Sequence, residues 1–261
     1  MSDASLLLGG ALFLLAGAAM AAQRLRADRQ RLRQQLETAS QELQHLQTAF
    51  ARFAPSTVVQ GIAARGQPTD AEKRDVTVLF ADLVAFTALS EALAPEVLVS
   101  VLNEYFVRMS RVISEHRGHV SKFIGDGLMA LFGALEPNPW QANDAVRAAL
   151  AMQRGVAAYN HDLAQRGLPP LRLGVGINRG PAIAGIIGSD ALMEFTVIGQ
   201  TVNVASRVER LTRVHGTEVL ITAAVRTELD PRFVLEELPA RTVRGVADPV
   251  LTYAVKGFRD S

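Results

Sequence analysis

Apolar and polar positions change period several times along the chain, and each change marks an element. Ala4 to Ala22 carries no charge and no polar face, and its length just reaches the roughly 20 residues that a helix needs to cross a bilayer. From Leu25 to Phe53 the pattern repeats every seven residues. One series holds Leu25, Leu32, Ala39, Leu46 and Phe53; the other holds Arg29, Leu36, Leu43 and Phe50. So narrow a seam predicts a parallel coiled coil with one poor layer at Arg29. Gly61 to Lys73 has the composition of a hinge.

From Arg74 the pattern becomes that of a packed domain. Arg74–Ala81 reads as a buried strand. Helical structure begins over Thr87–Leu93, and Pro95 suits the first turn of a longer helix reaching about His116. Val120–Ile124 and Leu128–Phe132 read as strands joined through a G-D-G turn. Gln141–Arg166 is predicted helical, stopped by Gly167 and two prolines. Leu171–Asn178 and Ala182–Ile187 are predicted as two strands around Gly180-Pro181. Glu194–Ile198 is a strand, Gln200–Val214 a helix ended by Gly216, and Glu218–Thr222 a strand. Phe233–Leu238 and Leu251–Val255 form a last antiparallel pair. The order β-α-β-β-α-β predicts a ferredoxin-like α+β core, an antiparallel sheet with helices on one face.

Composition narrows the function without choosing it. The 261 residues allow one sizeable domain plus appendages. A net charge of +1 gives no sign of a nucleic-acid partner. The absence of cysteine excludes disulfides and thiolate metal sites. The apolar run at Ala4–Ala22 has an acid before it and Arg24, Arg26, Arg29, Arg31 and Arg33 behind it. That flank opposes a signal peptide and, by the positive-inside rule, places the bulk of the chain in the cytoplasm, tethered to the inner or plasma membrane by a single pass.

The candidate chemistry starts from two carboxylates in apolar strands. Asp82 ends T-V-L-F-A-D-L, and Asp126 sits in K-F-I-G-D-G-L-M-A-L-F-G. A lone buried carboxylate costs several kcal/mol unless a cation or donor compensates it. Two of them point to a shared divalent metal site, with Mg²⁺ favoured by carboxylates plus substrate phosphates. Leu83 to Thr87 leads into a helix, whose first N–H groups attract phosphate, so Phe86 and Thr87 are candidate substrate contacts. Lysine occurs only at Lys73, Lys122 and Lys256 in a chain that otherwise uses arginine, which singles out Lys122 beside G-D-G. Asn203 and Arg207 lie four apart in T-V-N-V-A-S-R-V-E, hence on one helix face, where they suit a sugar and a phosphate but equally an ordinary solvated surface. No histidine spacing fits zinc.

The stretches F-A-D-L-V-A-F-T, K-F-I-G-D-G-L-M-A-L-F-G, G-I-N-R-G-P-A-I-A-G-I-I-G and I-G-Q-T-V-N-V-A-S-R-V-E resemble, in order and in register, the catalytic domain of class III nucleotide cyclases. The resemblance spans about Arg74 to Lys256. It implies a homodimer with active sites across the interface. It implies that Asp82, Asp126 and the carbonyl of Leu83 hold two Mg²⁺ or Mn²⁺ ions. Lys122 and Thr196 would read the purine, Asn203 would orient the ribose, and Arg207 would stabilise the transition-state phosphate. Thr196 matches a bacterial-type subclass with Thr where many adenylate cyclases carry Asp. The family's C-terminal triphosphate-binding Lys aligns with Val246, and Arg244, on the same strand face, is the candidate substitute.

The expected organisation is then a membrane anchor over 1–23, a coiled-coil signalling helix over 24–60, a linker over 61–73 and a cyclase domain over 74–257. The expected reaction converts ATP to 3′,5′-cyclic AMP and pyrophosphate. Adenine offers an acceptor at N1 and an amino donor, which match Lys122 and the Thr196 hydroxyl; guanine would call for a carboxylate. The alternatives are a guanylate cyclase and a catalytically weak, dimerising signalling module. A nucleotide polymerase or diguanylate cyclase is disfavoured by the N-V-A-S-R helix motif.

Overall fold

A computed structural model describes residues 29–44, 71–189, 192–242 and 249–259. The chain divides into two compact units, 1–59 and 60–261. In the first, residues 29–44 are helical, with Leu32, Leu36 and Leu43 exposed. The apolar run at 4–22, the two ends of the heptad seam and most of the hinge lie outside the described residues. So do Arg244 and Val246. Among the described residues, no helix is long and apolar enough to cross a membrane.

The second unit is built on one eight-stranded sheet. Its strands are β1 (Glu72–Leu83), β2 (His119–Ile124), β3 (Gly127–Phe132), β4 (Leu173–Ser189), β5 (Leu192–Ile198), β6 (Val219–Thr222), β7 (Phe233–Arg241) and β8 (Val250–Phe258). Its helices are α1 (Phe86–Ala92), α2 (Pro95–Glu115), α3 (Gln141–Gln165), α4 (Gln200–His215) and the single turn α5 (Ala223–Arg226). The sheet runs β2-β3-β1-β4-β6-β8-β7, with β5 paired to β4. Its first four strands are all antiparallel and form the ferredoxin-like order expected. One pair departs from the antiparallel expectation: β4 and β6 are parallel, because α4 intervenes as a crossover.

Side chains of the sheet pack into two cores. Leu79, Ala81, Val175, Ile177, Val219 and Ile221 face α2 and α3, whose Tyr105, Met109, Ile113, Val146, Ala149 and Met152 complete the larger cluster. Leu220 and Ala254 point the other way, onto Val208 of α4. Helices therefore cover both faces, not one. The reason is visible on β4, where Gly176 replaces a side chain: a Cβ there would lie 2.1 Å from the backbone nitrogen of Glu209. Only a bare backbone lets α4 come this close. Gly176→Ala is expected to cost about 3 kcal/mol or more through overpacking against a backbone that cannot yield. A thermal melt compared with wild type checks it.

Gly180-Pro181 does not separate two strands as the sequence predicts. β4 runs unbroken through it, because β1 continues alongside, with Val76 opposite Gly180 and Asp75 opposite Pro181. The start of α4 is tied to this stretch. The Asn178 amide donates to the Thr201 carbonyl (3.0 Å), and the Thr201 hydroxyl donates to the Pro181 carbonyl (2.7 Å). These bonds set the height and rotation of the helix that carries Asn203 and Arg207.

Candidate active site

Asp82 lies at the last pairs of β1, opposite Gly174. Asp126 lies in the turn between β2 and β3. The β1–β3 pairing, which sets Ala81 opposite Leu128, brings the two carboxyl groups together. Gly127 leaves the space for this, since a Cβ there would sit 2.9 Å from Asp82 Oδ1. Burial first, and then the neighbouring Asp82 charge, hold the Asp126 carboxyl above the usual carboxylate range; backbone donors at Asp126 and Leu83 pull the other way. A second sign of concentrated negative charge is the Tyr105 hydroxyl. It is buried with no hydrogen-bond partner among the described residues, and its pKa is raised above the usual phenol range by burial, then by Asp82, Asp126 and Glu209.

Two mutually repelling carboxylates and the carbonyl of Leu83 offer hard oxygen donors of the kind Mg²⁺ and Mn²⁺ take. The donor set fits the expected metals. No group of three or more His, Cys, Asp or Glu side chains poised for a metal occurs among the described residues, so substrate oxygens and water would complete the coordination. The Leu83–Thr87 segment turns through Ala85, which adopts the left-handed conformation at φ 59°. It enters α1 with no side-chain cap at Ala85. Thr87 is exposed there, whereas Phe86 packs partly against the main core and is a support for the loop more than a contact surface.

Lys122 and Thr196 come together from β2 and β5. A bulge shifts the β2 register between Val120 and Lys122. Ser121 at that bulge donates to the Phe195 carbonyl (3.2 Å) and to the Thr196 hydroxyl (3.3 Å). The Lys122 ammonium pairs with Glu194, two residues before Thr196. Sequence reasoning does not find Ser121 or Glu194 here, because the contacts span more than seventy residues.

Asn203 is exposed on α4, and Arg207, one turn on, has a buried guanidinium nitrogen with no hydrogen-bond partner. Among the described residues, that Arg207 nitrogen has no acceptor. Six residues past each, 240° around the helix, stand Glu209 and Arg213. Arg213 donates to Asp82 Oδ2 at 2.6 Å and is ion-paired with Glu209. Burial pushes the Glu209 carboxyl up to about 7 against the opposing pull of Arg213. In sequence these two residues read only as part of a charged helix surface. The structure shows α4 turning one face to Asp82 and carrying Asn203 and Arg207 on another. Asp82 and Asp126 lie together, and β2 and β5 are joined beside Lys122 and Thr196 through Ser121 and Glu194.

His119, on β2 beside Phe195, has its pKa lowered by burial. The unfolded chain then binds a proton that the native state resists, so stability is full above the unfolded pKa of about 6.5 and falls as pH drops below it. His119→Phe is expected to lose less of its melting temperature between about pH 7.5 and about pH 5.5 than wild type. An equal loss in both proteins would refute this assignment.

Fold and oxygen-donor pair together define an α+β catalytic domain, and comparison with known proteins gives its family. Residues 69–257 match the model of the adenylate and guanylate cyclase catalytic domain. An adenylate cyclase of Anabaena cylindrica is 33% identical over 232 residues, covering 85% of this chain and 45% of that protein. Adenylate cyclase 1 of Rhizobium meliloti is 33% identical over 210 residues, covering 80% and 32%. Among solved structures, the guanylyl cyclase Cya2 superposes with a TM-score of 0.69 at 35% identity, covering 73% of this chain and 95% of that one. The adenylyl cyclase CyaB from P. aeruginosa gives 0.68 at 31%, covering 73% and 97%. The chain belongs to the adenylate and guanylate cyclase catalytic-domain family. It spans less than half the length of the two curated relatives it matches here.

Proposed function

We propose that this chain is an adenylate cyclase that acts as a homodimer and converts ATP to 3′,5′-cyclic AMP and pyrophosphate. The observation that carries the choice of base is the Lys122 ammonium paired with Glu194, two residues before Thr196 on β5, while the neighbouring Ser121 bonds to the Thr196 hydroxyl. Lys122 donates to adenine N1, and Thr196 accepts from the exocyclic amine. Asn203 orients the ribose so that its 3′-oxygen lies in line with the α-phosphorus. Arg207, one of whose guanidinium nitrogens has no acceptor among the described residues, takes the charge that grows on the phosphate as the bond to pyrophosphate breaks. Asp82, Asp126 and the Leu83 carbonyl would hold two divalent ions, which supply acidity to the 3′-hydroxyl and neutralise the triphosphate. The two faces of α4 support sharing of each site between subunits, with Asp82 and Asp126 from one and Lys122, Thr196, Asn203 and Arg207 from the other.

The exposed Leu32, Leu36 and Leu43 on the upstream helix support a coiled-coil pairing that would raise the local concentration of the two domains. The charge flanks of the 4–22 run support anchoring in a membrane with the catalytic domain in the cytoplasm.

One observation favours a second reading. Glu194 places a carboxylate beside Lys122, and a carboxylate is the acceptor that guanine N1–H and its 2-amino group call for. Purified protein assayed in parallel with ATP and GTP, each with Mg²⁺ or Mn²⁺, separates the two by which cyclic product forms. Equal or greater cyclic GMP production would overturn the adenylate reading. No cyclic product with either nucleotide would leave a dimerising signalling module as the function.

A further inference from the structure

The proposed chemistry leaves Arg213 unused, yet Arg213 has an unusual set of partners. Its Nη2 donates to Asp82 Oδ2 at 2.6 Å and reaches the Leu83 carbonyl oxygen at 3.4 Å. Its Nη1 is bonded to Glu209 Oε1. Asp82 and the Leu83 carbonyl are two of the three donors assigned to metal. A guanidinium therefore rests against the oxygens a divalent ion would take.

The contact differs from an ordinary surface ion pair in two ways. The Asp82 and Arg213 side chains are each about one-third exposed, and Glu209 is only 6% exposed. Screening by water is thus reduced, and removing one partner of such a group leaves a charge that is costly to strand. The guanidinium also spans two carboxylates with separate nitrogens, the fork geometry for which arginine is suited and lysine is not. Glu209 lies one turn before Arg213 on α4, so it can keep its hold on the guanidinium whatever happens at Asp82.

We propose that Arg213 is a built-in counter-ion of the metal-free half-site. It neutralises Asp82 until a divalent cation claims Asp82 and the Leu83 carbonyl, and it then falls back on Glu209 alone. Metal loading is accordingly an exchange of one cation for another. Three consequences follow from this exchange. The repelling Asp82–Asp126 pair is held together without metal, Glu209 stays buried with a partner in both states, and the cost of displacing Arg213 sets the metal concentration at which the half-site fills. The inference rests on the metal reading of Asp82 and Asp126.

The test is a Mn²⁺ titration of the full-length chain without nucleotide, following free Mn²⁺ by electron paramagnetic resonance. Arg213→Gln removes the competing cation and is expected to bind Mn²⁺ on the order of ten-fold more tightly than wild type. In chelator, the same variant is expected to melt below wild type, and saturating Mn²⁺ should close the gap. Wild-type or weaker Mn²⁺ affinity in Arg213→Gln would overturn the proposal. Arg213→Lys is the second variant, for use if Arg213→Gln does not fold. One ammonium cannot bridge Asp82 and Glu209 as the fork does, so tighter binding by a smaller factor is expected, and wild-type affinity would count against the exchange. Asp82→Asn separates this idea from its premise: it should abolish the Mn²⁺ site. Undiminished binding in Asp82→Asn would overturn the metal assignment itself, and the counter-ion role with it.

Discussion

Asp126→Ala is expected to lower cyclic AMP formation by at least about a thousand-fold, the equivalent of roughly 4 kcal/mol of transition-state stabilisation. The expectation follows from position. Asp126 sits in the β2–β3 turn against Asp82, in surroundings whose burial and like charge already penalise its ionised form. In the proposed function a bound cation would offset that penalty. Removing the carboxylate relieves repulsion, so the domain should melt no lower than wild type. The pair of measurements matters: loss of activity with retained melting and retained self-association identifies a metal ligand. A variant that keeps most of its activity would sink the assignment.

Arg207→Ala is expected to be about as damaging, because it deletes the cation that meets the growing phosphate charge. Mixed with Asp126→Ala, however, it should restore activity. If each site takes its aspartates from one subunit and Arg207 from the other, a mixed dimer holds one intact site and one doubly damaged site. Half of the dimers in an equimolar, freely exchanging mixture are mixed, so activity should return to roughly a quarter of wild type. The divided faces of α4 are the structural ground for this expectation. A mixture no more active than its components would argue for sites complete within one chain.

How much of this was legible in the sequence depended on whether the signal was local. Asp82 and Asp126 stand out because each lies at the edge of an apolar strand, and the core order β-α-β-β-α-β follows from period and punctuation. The predicted Gly180-Pro181 break was wrong because a neighbouring strand, β1, holds that dipeptide extended, and no local rule contains the neighbour. The placement of α4 on the opposite face of the sheet was hidden for a similar reason: Gly176 reads as a turn or packing glycine, and only the fold shows that Glu209 backbone occupies its space. Arg213 was the least legible. In R-V-E-R-L-T-R it is one basic residue among three, and its meaning comes from Asp82, more than a hundred residues away. Lys122 was found by its rarity, whereas its partner Glu194 was not found at all.

The double orientation of α4 has a consequence for ligand binding in the proposed dimer. A single rigid helix would carry Arg207 into one site while Arg213 attends the metal donors of the other. Its two ends are pinned, at one by Asn178 and Thr201 and at the other by the left-handed turn at Gly216. Whatever shifts it on one side is therefore felt on the other. Filling the first site would alter the affinity of the second, and the saturation curve for nucleotide would depart from that of two independent sites.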